Sequence, residues 1–187
     1  SFLICIPLAA YYNFAPIFVS GMGIASPAFK MSFGQMSEVL FMLILPLLFA
    51  RYGVKYILLG GMLAWAVRYA LFALSAPTGI TSLVFLGIIL HGICYDLFFV
   101  AGQIYVDKKS TADIRSQAQG FLVLITYGLG MFIGAQVAGY IYNLLLKGQT
   151  ALSVQSWQQF WLVFAVMTTV VIVYFFIGFK DKLNSKE

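Results

Sequence analysis

Six apolar stretches, each close to the ~20 residues that one bilayer crossing needs, fill most of this 187-residue chain, and short connections between them hold nearly all the charge. Wound as a helix at about 1.5 Å per residue, such a stretch spans the ~30 Å hydrocarbon core. In hydrocarbon every backbone N–H and C=O must find its partner within the segment, so these runs are expected to be helices. The expected fold is all-α and integral to the membrane. Its crossings fall near 2–22, 31–50, 56–75, 80–106, 116–146 and 157–179, as one transmembrane domain over 1–179 with a tail at 180–187. Composition agrees: 62% of residues are hydrophobic and 9% charged, against about 25% charged in a soluble domain. The mean hydropathy is +0.95. The chain opens at Ser1 and enters apolar sequence at once, which reads as a fragment without a signal peptide.

The connections carry the topology. Ser26, Pro27 and Lys30 follow the first span, Arg51-Tyr-Gly-Val-Lys55 joins the second to the third, and Pro77-Thr-Gly79 is a turn signal. Asp107 to Arg115 make the longest charged loop, and Lys147 to Ser156 lead into the last span. One side holds Arg51, Lys55, Lys108, Lys109, Arg115, Lys180, Lys182 and Lys186, and the other only Lys30 and Lys147. Positive charge collects on the cytoplasmic side, so both ends of the chain are expected there. The net charge of +5 is spread over separate loops and forms no stripe, so nucleic acid is not an expected partner.

Several motifs argue against chemistry. Cys5 and Cys94 lie inside apolar runs, far from any CxxC or Cys/His spacing, and read as packed free thiols. No Walker loop is present, so nucleotide hydrolysis in this chain is not expected. Gly130 and Gly134, among the glycines Gly128, Gly130, Gly134 and Gly139 of the fifth span, form one GxxxG, read as a close-packing seam.

Four ionisable residues lie inside spans: Glu38, Arg68, His91 and Asp96. Each costs at least ~2.5–3.5 kcal/mol at the centre of a lipid-facing helix, so each is a functional candidate. Counted from the cytoplasmic ends of their spans, Asn13, Glu38, Arg68, Tyr95 and Asp96 lie roughly 15–20 Å deep, with Gln35 and His91 about one turn further out. One mid-membrane layer drawn from four helices is where secondary transporters hold substrate. Gln35 with Glu38, and His91 with Tyr95, share helix faces by their spacing. With Asn13 they offer amides, a carboxylate, an imidazole and a phenol, a set suited to a neutral ligand with hydroxyls and ring heteroatoms. Two acids against one arginine leave one carboxylate without a counter-charge, a candidate for coupling transport to a proton gradient. The short third-to-fourth connection suggests that Arg68 and Asp96 are neighbours and pair, leaving Glu38 to bind substrate or exchange the proton.

The loop Arg51-Tyr-Gly-Val-Lys55, the segment Gly34-Gln-Met-Ser-Glu-Val39, the run Leu90-His-Gly-Ile-Cys-Tyr-Asp-Leu-Phe-Phe99, and Tyr105-Val-Asp-Lys-Lys109 with Arg115-Ser-Gln-Ala-Gln-Gly120 together carry a resemblance. Over essentially its whole length the chain resembles the C-terminal half of the bacterial nucleoside:proton symporters of the major facilitator superfamily. The resemblance implies one half of a 6+6 helix transporter in the bacterial cytoplasmic (inner) membrane, with the missing N-terminal six-helix half and the lipid bilayer as partners. It implies a nucleoside bound between the halves by Asn13, Gln35, Glu38, His91 and Tyr95, with Asp96 at the acidic position associated with coupling. No cofactor is implied beyond the proton. Ala10 falls where family members can carry a polar side chain, and His91 where others have an aromatic hydroxyl.

Three readings compete with nucleoside symport. A sugar or oligosaccharide symporter would use similar amides, acids and aromatics. A membrane-embedded enzyme is disfavoured, because one His without a partner His or Cys is a poor metal set and no nucleophile motif appears. A purely structural or interaction role would need a six-helix unit that folds without a partner.

Overall fold

The computed structural model describes residues 1–147 and 154–179. Helix α1 is Phe2–Gly21. The helical stretch Pro27–Thr78 is broken at Gly53, giving α2 (27–52) and α3 (54–78). Helix α4 is Thr81–Lys109 and α5 is Arg115–Leu146. Helix α6 is Val154–Gly178. The expected tail at 180–187, with its three lysines, and residues 148–153 of the last connection lie outside the described residues.

Six crossings come from five long apolar helices because one of them crosses twice. As a straight rod the 52-residue stretch would be about 78 Å long, far more than a bilayer. Gly53 takes φ 71 and ψ 169, left-handed backbone that a residue with a Cβ adopts only at a cost. The chain doubles back there. Gly34 lies against Ile88 and His91 of α4, while Phe72 lies against Gly87. Those two residues of one unbroken rod would be about 57 Å apart, yet they meet neighbouring turns of α4. The five-residue loop expected at 51–55 thus shrinks to one residue. The 107–115 loop is also shorter than expected: α4 keeps Asp107, Lys108 and Lys109 in its last turn, and Arg115 Nε reaches Asp107 Oδ1 at 3.4 Å.

Two packing modes hold the bundle. Where α5 crosses α1, a Cβ on Gly130 would sit 2.7 Å from Cys5 Cβ, and one on Gly134 would sit 2.8 Å from Ala9 Cβ. Small residues thus face small residues on both helices, and the GxxxG acts as the expected seam. Between α1, α3 and α6 the packing is aromatic instead. Phe72 and Trp161 meet with centroids 5.0 Å apart, Tyr69 stacks on Trp161 at 5.8 Å, and Phe18 touches Trp157 at 5.3 Å. The Tyr69 hydroxyl donates to the Pro7 carbonyl at 2.6 Å, tying α3 to α1.

Helix α4 is irregular. Its hydrogen bonding breaks at Leu90, resumes at His91–Tyr95, and opens into a π-turn over Asp96–Val100. Ser37 of α2 repairs the first break: its hydroxyl oxygen accepts from the Gly92 N–H at 3.0 Å, and its single proton lies between the carbonyls of Gly34 at 2.6 Å and Ile89 at 2.8 Å. Repair of a broken membrane helix by a neighbour's hydroxyl is a standard means of keeping backbone groups satisfied in lipid.

Candidate functional site

Close approach of α2 and α4 creates the central pair of the site. A Cβ on Gly34 would lie 3.0 Å from the Ile88 carbonyl, and one on Gly92 only 2.6 Å from Ser37. Glycine at both places lets the helices touch. Glu38, one turn along from Gly34, then meets His91 across the contact, with His91 Nε2 2.8 Å from Glu38 Oε1. His91 is 2% exposed while Glu38 keeps 21%, so the imidazole is enclosed and the carboxylate is partly open.

Rings frame this pair. Tyr11 of α1 stacks on His91 with centroids 5.3 Å apart and planes 20° apart, and Tyr12 meets it edge-on at 6.1 Å. Tyr95 lies 5.9 Å from His91 on the same helix, as the four-residue spacing requires. Arg68 also packs on Tyr11, its guanidinium carbon 4.2 Å from the ring centroid. The order Arg68, Tyr11, His91, Glu38 therefore links α3, α1, α4 and α2 by one cation–π contact, one ring stack and one close imidazole–carboxylate contact.

The expected Arg68–Asp96 pair does not form. Among the described residues, none of the three guanidinium nitrogens of Arg68 and neither carboxylate oxygen of Asp96 makes a hydrogen bond, although both residues are fully buried. Register is the reason. Helices α3 and α4 are antiparallel, with Gly61 against Leu97 and Phe98 and Phe72 against Gly87, and this alignment sets Arg68 level with Leu90 and His91. Asp96 lies five or six residues further along α4, about 8 Å away along the axis. The π face of Tyr11 takes the place of a counter-ion for Arg68.

The remaining expected residues divide. Tyr95 is half-buried and its hydroxyl accepts from Tyr127 of α5 at 2.7 Å. Asn13 is exposed, and its amide nitrogen donates to the Ala9 carbonyl at 2.7 Å, one turn back in a helix interrupted by Pro7 and Pro16. Gln35 is exposed on the turn before Glu38. Ala10 is fully buried and part of the packing. Glu38, His91 and Tyr95 are brought together, Asn13 and Gln35 lie on exposed surface, and Asp96 is enclosed beyond Tyr95.

Tyr11, Tyr12 and Tyr127 were not singled out from the sequence, although they shape the site as much as Asn13 does. A tyrosine among apolar residues reads as ordinary filling until its neighbours are known. The only local signals were the pair Tyr11-Tyr12 next to Asn13 and the placing of Tyr127 between Thr126 and Gly128.

Comparison with known proteins places this geometry in a family. The profile of the family described as nucleoside H+ symporter matches residues 1–184. The putative nucleoside transporter YegT of Escherichia coli K12 is 38% identical over 98% of this chain and 44% of its own length. The nucleoside permease NupG of the same organism is 34% identical over 89% of this chain and 39% of its own. Its xanthosine permease is 33% identical over 88% and 39%. The crystal structure of the nucleoside transporter NupG superposes with a TM-score of 0.78 at 31% identity, covering 97% of this chain and 47% of that one. The chain thus spans less than half the length of the relatives it matches.

Proposed function

This chain belongs to the nucleoside H+ symporter family, and we propose that it forms the C-terminal half of a secondary transporter that imports a nucleoside together with a proton. The second half is a further six-helix bundle facing α1, α2, α4 and α5, and the lipid bilayer surrounds both. In this reading the membrane is the bacterial inner membrane and both ends of the chain are cytoplasmic, an orientation supported by the eight-to-two division of basic residues.

The observation that carries the proposal is the Glu38–His91 pair, an enclosed imidazole against a partly open carboxylate in the middle of two membrane helices. A carboxylate held in that position accepts hydrogen bonds from sugar hydroxyls, and the rings of the exposed Tyr12 and the half-buried Tyr95 offer faces for a base. Asn13 and Gln35, exposed on neighbouring turns, supply amide donors and acceptors for the base edge or the ribose. Arg68, stacked on Tyr11, holds the ring that backs His91 and does not touch the substrate. Asp96 carries the coupling proton: protonation removes its charge, so loading and unloading the proton changes the electrostatic cost of occluding this layer. Glu38 is the second acid through which substrate and proton communicate. No cofactor other than the proton is required.

The test is uptake by the full-length protein in liposomes, with and without an inward proton gradient, using a nucleoside panel and competing sugars. Uptake should follow the gradient and ignore the sugars. Glu38→Gln should weaken uptake, and Asp96→Asn should leave nucleoside binding intact while removing the response to the gradient. Full proton-driven uptake by both variants sinks the assignment of roles; competition by sugars sinks the substrate class.

A further inference from the structure

This bundle contains two π-turns. Helix α4 opens into one at Asp96–Val100 and α5 into another at Leu124–Gly130. They lie at the same height, because Tyr127 touches Phe99 with ring centroids 5.5 Å apart and reaches Tyr95 at the upper edge of the first turn. A π-turn is poorer in hydrogen bonding than an α-turn and shifts the phase of every side chain beyond it, so such turns persist mostly where a side chain must be aimed. What these two aim is a pair of phenols. The Tyr127 hydroxyl donates to the Tyr95 oxygen at 2.7 Å. A phenol that accepts through its oxygen keeps its own proton to donate elsewhere, and the accepted bond polarises that proton. Tyr95 is half-buried beside the ring of His91, and among the described residues its hydroxyl donates to no protein acceptor.

We propose that Tyr127 is a positioning residue for substrate recognition: its hydroxyl fixes and polarises the Tyr95 hydroxyl as a hydrogen-bond donor to the nucleoside. The proposal rests on the reading of the chain as half of a nucleoside symporter. Tyr127 itself does not contact the substrate. It acts through the hydroxyl contact that its side chain, carried on the π-turn of α5, makes with Tyr95, the residue before the π-turn of α4.

The experiment is a double-mutant cycle of Tyr127→Phe and Tyr95→Phe in the full-length transporter, reading KM and maximal rate of nucleoside uptake together with thermal unfolding. Each single variant keeps its ring, so packing is preserved. Loss of one neutral hydrogen bond should raise KM on the order of three- to tenfold, with the maximal rate little changed. The double variant should be no worse than Tyr95→Phe alone, because Tyr127 acts only through that hydroxyl. An unchanged KM in Tyr127→Phe, or effects that multiply in the double variant, overturns the proposal. So does a Tyr127→Phe protein that loses thermal stability and maximal rate while KM stays fixed, which is the mark of a merely structural tyrosine. A wild-type protein that takes up no nucleoside overturns both this inference and the reading beneath it, whereas a transporting wild type with an unaffected variant overturns the inference alone.

Discussion

Aromatic rings do different work on the two sides of α1. Toward α3 and α6, Phe18, Phe72 and Trp161 are fully or almost fully buried and meet one another at ring-to-ring distances such as 5.0 Å and 5.5 Å. Toward α2, α4 and α5, Tyr12, Tyr95 and Tyr127 lie against an imidazole or each other's hydroxyls, with Tyr11 bridging from that imidazole to the guanidinium of Arg68 on α3. The first group fills volume, and its value is contact area and packing. The second carries polar groups into a dry layer and lets them be satisfied there, so its value is in what it orients. In a membrane this division matters because apolar packing between helices has no hydrophobic driving force behind it. Stability has to come from shape on one side of the bundle so that polar groups can be placed for use on the other.

That contrast can be broken or sharpened by substitution. The largest effect is expected from Trp161→Ala, which removes the ring that touches Phe72, Tyr69, Phe18 and Phe160 and should cost about 3–5 kcal/mol of stability. Thermal unfolding in detergent measures it, and uptake per folded molecule should stay near wild type; a specific loss of uptake would erase the distinction between the two sides. Glu38→Gln is the reverse case. It replaces a charge-assisted bond to His91 and should weaken nucleoside uptake roughly ten- to hundredfold with little change in unfolding temperature. Next comes Gly134→Ala, whose new Cβ would lie 2.8 Å from Ala9 Cβ and from the Cys5 carbonyl oxygen. It should cost about 1–3 kcal/mol by overpacking, and because the seam holds α5 against α1, uptake should fall with it. Arg68→Met should change stability least, by less than about 1 kcal/mol and in either direction, since a buried cation without a counter-ion is often replaced by an apolar side chain at no cost. Uptake should still fall as Tyr11 loosens behind His91. A stability loss above about 2 kcal/mol would mean that the face of Tyr11 stabilises Arg68 as well as a carboxylate would.

Much of the fold was legible in the sequence because bilayer thickness and backbone hydrogen bonding leave few options. The six apolar runs became the six crossings, and the turn at Pro77-Thr-Gly79 ends α3 with Gly79 at φ 68. Helix ends moved by a few residues, as with Lys108 and Lys109, because charged side chains can remain helical at the membrane boundary. The ionisable residues inside the apolar runs were legible for a related reason. An acid or an imidazole in an apolar run stands out, whereas Tyr11 and Tyr127 do not, since their role depends wholly on what lies opposite.

By itself, the sequence determined which segments cross the membrane and which residue types reach its middle, and it carried the family signature now confirmed over residues 1–184. Partners were decided only in three dimensions. Arg68 and Asp96 have complementary charges and a short connection between their helices, yet the antiparallel register holds them apart, and His91 meets Glu38 because Gly34 and Gly92 let their backbones close. Spacing within a helix follows from 3.6 residues per turn. Register between helices follows from which small residues face each other and where a turn is broken or widened, and no count along a single helix contains that information.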